Sequence, residues 1–173
     1  MNKKHFIKYA GISILVAAIT GVAVWKIPDR TRIEQVSIEQ IPVPSNLERI
    51  YSEAQNDSYR YTMGGCEKFP SDTSNNYLSF QISAKTQTNR SIGSMKLLVS
   101  DFGAYANHWL FADHALGSNS VLIAVLYTAD LTESQITEAV SDLTLTLSYE
   151  TGNQAKEIPV VISDDAMDRQ RTQ

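Results

Sequence analysis

The chain has 173 residues and one cysteine, so an internal disulfide is excluded and an apolar core must hold the fold. Its formal charge of −4 hides an asymmetry: residues 1 to 32 carry six Lys or Arg and one Asp, net +5, whereas residues 33 to 173 carry nine Lys or Arg and eighteen Asp or Glu, net −9. So acidic a domain lacks the clustered Lys and Arg that nucleic acid or an anionic lipid surface requires, and its charge suits solubility or a basic partner.

Lys3, Lys4 and Lys8 precede an unbroken apolar run over residues 9 to 25. At 1.5 Å per residue that run is about 25 Å long, close to the roughly 30 Å of a bilayer's hydrocarbon core once Lys8 and Lys26 snorkel. Tyr9 and Trp25 sit at its two ends, where amphipathic rings favour the headgroup regions. The reading is a basic tail over residues 1 to 8, then an uncleaved transmembrane signal-anchor helix over residues 9 to 27, in contact with the lipid bilayer. The alternative is a chain secreted after cleavage near Ala23, because Gly21 and Ala23 are spaced as a signal peptidase requires. The tail adds an amino group and carries no acid, which favours the tail inside and the large domain outside. Ser13, Ala17 and Gly21 recur every four residues, a small-residue stripe through which two such helices could associate into an oligomer. A pilin-like arrangement needs a Gly before the processed residue and an acid in the run; His5 precedes Phe6 here, and the run has no acid.

Pro28 ends the apolar run, and residues 28 to 44 mix charges with single apolar residues in the manner of a stalk or linker. A β-rich domain with a lead-in helix is expected over residues 45 to 162. The helix begins at a capping-box pattern, Ser45 with Glu48, followed by Leu47, Ile50, Tyr51 and Ala54 at helical spacing.

From there the apolar period becomes two. Leu78, Phe80, Ile82 and Ala84 alternate with Ser79, Gln81 and Ser83, a strand with one buried face. Residues 95 to 99 make another strand, and residues 59 to 63 a further short one. Residues 101 to 114 read as a helix, with Tyr105, His108, Trp109 and Ala112 at its spacing; an irregular strand, which the aromatics also suit, is the alternative. Residues 120 to 128 are apolar on both faces, as in a central strand covered from both sides. A second capping box, Thr132 with Gln135, opens a helix. Leu143, Leu145, Leu147 and Tyr149 then alternate with Thr144, Thr146 and Ser148, and a turn at residues 151 to 154 returns the chain into residues 158 to 162. Pro159 cannot donate to a ladder, which makes the returning strand an edge strand or places Pro159 at its start. Residues 163 to 173 are polar and read as a disordered tail. The expected fold is mainly β, an antiparallel sandwich of immunoglobulin-like type with one or two short helical inserts; an α+β sheet-and-helix arrangement is the alternative.

The candidate chemistry is confined to one stretch. His108, Asp113 and His114 place two imidazoles and a carboxylate within seven residues, candidates for a metal or for a hydrolase. On a helix the two histidines point apart, and in a strand they lie about 20 Å from each other. No nucleophile elbow, phosphate loop, paired-cysteine motif or zinc-protease helix occurs, and no cofactor is implied. Cys66 reads as a small buried residue beside Gly64 and Gly65. For protein binding the candidates are Trp109 and Phe111, as aromatic anchors, and Ile158, Val160 and Ile162, on the edge strand. The expectation is a non-enzymatic, single-pass protein of a bacterial inner membrane, whose periplasmic domain binds another envelope protein as an accessory or immunity factor. An anchored periplasmic hydrolase and a surface adhesion module are the alternatives.

Overall fold

The computed structural model describes residues 30–67, 69, 70, 76–89, 91–114, 120–152, 154–160 and 162. The expected anchor, its Ser13, Ala17 and Gly21 stripe, the Gly21 to Ala23 cleavage point and the C-terminal tail lie outside the described residues. Among the described residues no helix is long and apolar enough to cross a membrane.

The described elements form one mainly β unit running from Thr31. In chain order they are β1 (Arg32–Ile41), α1 (Leu47–Ala54), β2 (Tyr61–Met63), β3 (Tyr77–Gln87), β4 (Met95–Asp101), a 3₁₀ helix (Gly103–His108), β5 (Trp109–Asp113), β6 (Val121–Tyr127), α2 (Glu133–Ser141), β7 (Thr144–Thr151) and β8 (Gln154–Val160). The strands build a five-stranded sheet in the order β1-β3-β6-β5-β2 and a three-stranded sheet in the order β4-β7-β8. All their pairings are antiparallel.

Period-two alternation sends one set of side chains from each sheet into a shared core. Ile82, Leu122 and Leu126 come from the larger sheet and Leu97, Leu145 and Leu147 from the smaller, all with no exposed surface. Burying each such side chain contributes about 1.5 to 3 kcal/mol. Trp109 lies among them, with its ring 6.1 Å from Phe80 and 5.8 Å from Phe102. The other face of the larger sheet has its own core, in which Leu47, Tyr51 and Ala54 of α1 cover Tyr61, Tyr77, Leu110, Phe111 and Val125. β6 therefore has apolar neighbours on both faces, as its unbroken run of apolar residues requires.

Two stretches depart from the expected elements for one physical reason. Residues 32 to 41 are no linker: they pair with β3 along almost its whole length. Glu34 is an extra residue in that ladder, so Ile33 and Val36, three apart, both pack on the core with Ile38. Residues 109 to 113 are likewise a strand and not the end of a helix. The register of β5 shifts at Leu110, so Trp109 and Ala112 share the inter-sheet core while Leu110 and Phe111 both face α1. A three-residue spacing made by a bulge imitates helical periodicity.

The helix starts also divide. At α2 the Thr132 hydroxyl accepts from the Gln135 backbone N–H, and the Gln135 side chain accepts from the Thr132 backbone N–H, a complete capping box. At α1 the N-cap is Asn46 and makes no side-chain capping bond, so Ser45 and Glu48 do not form the expected box. The expected hairpin between β7 and β8 forms, but its returning strand begins at Gln154 and not at residue 158: Thr151 pairs with Gln154, Gly152 takes a φ of +62° in the turn, and β8 is the edge of its sheet.

Candidate functional site: the cleft beside His114

β5 ends in the most polar buried group of the unit. Its five residues are all buried, and the chain continues straight into His114, whose backbone N–H donates to the Arg60 carbonyl. This bond prolongs the ladder between β2 and β5, in which Tyr61 faces Asp113 and Thr62 faces Ala112. Arg60 and Thr62 are thereby held against Asp113 and His114 across more than fifty residues of sequence.

Asp113 is 3% exposed at its side chain and meets Arg60 in a two-pronged ion pair, Nε to Oδ1 at 3.1 Å and Nη2 to Oδ2 at 2.7 Å. The hydrogen bond to this carboxylate raises the Arg60 pKa above its ordinary value. The guanidinium also stacks 4.8 Å above the Tyr61 ring. Both carboxylate oxygens are therefore occupied by a cation, which leaves Asp113 poorly placed to serve as an acid or base.

His114 is buried, and its Nε2 shares a 2.6 Å hydrogen bond with the Thr62 hydroxyl. Nδ1 is buried with no hydrogen-bond partner. Burial lowers the imidazole pKa to about 4, and the Lys96 ammonium adds to the shift. The Leu97 backbone and Asp113 pull the other way, although Leu97 makes no hydrogen bond that satisfies Nδ1. His114 is thus a neutral imidazole at pH 7.

Thr62 and His114 form part of the wall of an open cleft of about 330 Å³. Lys96, Ser100, Thr146 and Glu157 line its other side, on the outer face of the smaller sheet, opposite the inward-facing Leu97, Val99, Leu145 and Leu147. Lys96 donates to the Tyr59 carbonyl, and its ammonium lies 4.3 Å from the centroid of the Tyr59 ring. Tyr59 stands 85% exposed at the rim. Its backbone N–H and that of Arg60 both donate to Asp57 Oδ1 at 3.1 Å, a turn that fixes the residue in place.

The expected site residues are only partly brought together. Asp113 and His114 are adjacent, but His108 lies half-buried at the end of the 3₁₀ helix, 6.3 Å from the Tyr105 ring, and does not line the cleft. A five-residue strand separates the two histidines, a span of about 20 Å at the rise of a strand. Among the described residues no three His, Cys, Asp or Glu are grouped to hold a metal. Trp109 and Phe111 are corrected as contact residues: at 0% and 1% exposure they are core. On β8, Val160 is buried and Ile158 half-buried, and Ile162 packs against the inter-sheet core. Cys66 is half-buried against the second core, and its carbonyl accepts from the Tyr51 hydroxyl at 2.6 Å. Arg60, Thr62, Tyr59 and Lys96 carried no sequence signal, since strand pairing alone joins them to β5.

No family model, no curated protein and no solved structure matches this chain.

Proposed function

We propose that this chain is a non-enzymatic protein-binding module, tethered to a bacterial inner membrane by residues 9 to 27 and acting in the periplasm as an accessory or immunity factor of an envelope assembly. The observation that carries the reading is β8, a seven-residue strand that among the described residues is hydrogen-bonded in its sheet to β7 alone. A strand of a partner protein can add to such an edge through main-chain hydrogen bonds. Gln154, Ala155, Glu157 and Pro159 are exposed along it, so the specificity contacts fall on these residues and not on Val160.

Strand order supports an immunoglobulin-like sandwich. With β2 set aside, β1-β3-β6-β5 faces β4-β7-β8, the ABED and CFG arrangement of the seven-stranded form. β2 is then an addition that pairs with β5, and α1 covers the outer face of the larger sheet. Architecture alone decides no activity. The binding reading gains from the engagement of Asp113 by Arg60 and from the separation of His108 from His114, both of which weigh against a hydrolase built on these residues. The acidic domain and the basic, apolar N-terminal segment support the address.

The test places a photo-crosslinking residue at Ala155 of the full-length chain in intact envelopes, with Glu133 on α2 as the control position. A discrete adduct with one envelope protein at Ala155, and none at Glu133, is expected. No adduct at Ala155, or the same products at both positions, would overturn the reading.

A further inference from the structure

The cleft beneath Tyr59 has a chemistry that strand addition at β8 does not use. Its walls present the hydroxyls of Thr62, Ser100 and Thr146: Ser100 donates to the Thr144 carbonyl, Thr146 donates to Ser100 and Thr62 bonds His114 Nε2, so what they offer a ligand is chiefly lone pairs that accept from its O–H groups. One ammonium, Lys96, and one carboxylate, Glu157, complete the polar set and cancel in charge. The buried imidazole of His114 adds no charge at neutral pH. A strongly anionic ligand would meet one cation and one opposing anion, and a metal ion would find no cluster of ligands among the described residues. An apolar ligand would cut Lys96 and Glu157 off from water.

Tyr59 supplies the remaining element. A lone exposed aromatic is ordinary on a protein surface. This one is held from three directions: by Asp57 at its backbone N–H, by Lys96 at its carbonyl and by the same ammonium over its ring. The two backbone bonds fix the main chain and the ammonium favours one placement of the ring, which lowers the entropic cost of using the side chain as a platform. The ammonium occupies one face of the ring, and the other, open in a side chain 85% exposed, attracts C–H groups that carry partial positive charge.

We propose that this cleft binds a neutral polyhydroxylated ligand, a sugar ring of a glycan, stacked on Tyr59 and hydrogen-bonded by Thr62, Lys96, Ser100, Thr146 and Glu157. The volume of about 330 Å³ lies at the lower end of small-molecule sites, which fits a terminal ring or two and not a long chain in cross-section. The site shares Glu157 with the β8 edge but takes its other residues from β2, β4, β7 and the Tyr59 turn, so sugar binding can hold where strand addition fails.

The full-length chain, purified in a detergent without a sugar headgroup, is titrated with glucose-, galactose- and N-acetylglucosamine-based trisaccharides, with inorganic phosphate and acetate as anion controls, by ligand-observed saturation-transfer NMR and calorimetry. At least one trisaccharide is expected to bind with a Kd of about 1 mM or tighter. Tyr59→Ala is expected to weaken it by about tenfold or more, and Tyr59→Phe to keep it within about threefold. Glu157→Gln, a change on an exposed side chain that leaves the core untouched, is expected to weaken binding without altering the folded circular-dichroism spectrum. The proposal falls if none of the sugars binds at about 10 mM, if Tyr59→Ala binds as tightly as the parent chain, or if phosphate or acetate binds while the sugars do not.

Discussion

Arg60 and Asp113 stand 53 residues apart in the chain and meet through both prongs of the guanidinium, with the carboxylate 3% and the arginine 36% exposed. This inequality decides how the pair responds to mutation. Arg60→Met leaves a buried carboxylate without its cation and is expected to cost about 3 to 5 kcal/mol. Asp113→Asn leaves a half-exposed guanidinium that can turn to water, at a cost of about 1 to 2 kcal/mol. Urea unfolding of the two variants checks the order, and equal losses would contradict it.

His114 gives the fold a pH dependence of fixed sign. Its folded pKa of about 4 lies below the ordinary value of 6.5, so between those pH values the unfolded chain binds more protons than the folded one. The contribution of His114 is complete above pH 6.5, falls as the pH drops towards 4, and changes no further below that. The loss amounts to at most about 3 kcal/mol. Stability measured against pH for the parent chain and for His114→Gln isolates it, because other titrating groups cancel in the difference. The parent curve should fall more steeply between pH 6.5 and 4.

The two helix starts carry the same kind of sequence signal, Ser45 with Glu48 and Thr132 with Gln135, and differ in structure. Thr132→Ala removes a formed capping box and is expected to cost about 1 kcal/mol. Ser45→Ala removes nothing comparable, since α1 starts at Asn46 with no side-chain cap, and should change stability by less than about 0.5 kcal/mol. Thermal unfolding of the pair is sufficient to separate them.

Deletions in β1 test the bulge. Removing Glu34 takes out the unpaired residue and restores simple alternation, leaving Ile33, Val36 and Ile38 on the core face. It also removes the exposed Lys85 to Glu34 ion pair, for a total expected cost of about 1 kcal/mol or less. Removing Ser37 shifts the register by one and turns the apolar residues on one side of the deletion out of the core, at an expected cost of about 2 to 4 kcal/mol. A Glu34 deletion as damaging as the Ser37 deletion would mean that the bulge is needed for the fold itself.

The same bulges mark where the sequence could and could not be read. β3, β6 and β7 follow unbroken period-two or fully apolar patterns, and each lies where that pattern predicts, whereas β8, without such a pattern, starts four residues ahead of the expected residue 158. β1 and β5 each contain one extra residue, and the resulting three-residue spacings of Ile33 to Val36 and of Trp109 to Ala112 read as a linker and as a helix. The site was less legible still. His114 and Asp113 drew attention by residue type, but their partners Thr62 and Arg60 are assigned by the pairing of β2 with β5, a three-residue ladder between segments with no local sign of each other. Polar residues of a cleft carry no periodicity, and only the register of the sheets brings them together.

Gly64 gives this fold a fixed point by which distant relatives can be recognised. A Cβ there would lie 1.9 Å from the Trp109 carbonyl oxygen, a backbone atom that cannot yield. Lineages that keep the architecture can exchange nearly every surface residue and repack much of the core, yet no side chain fits at this position while β5 keeps its path.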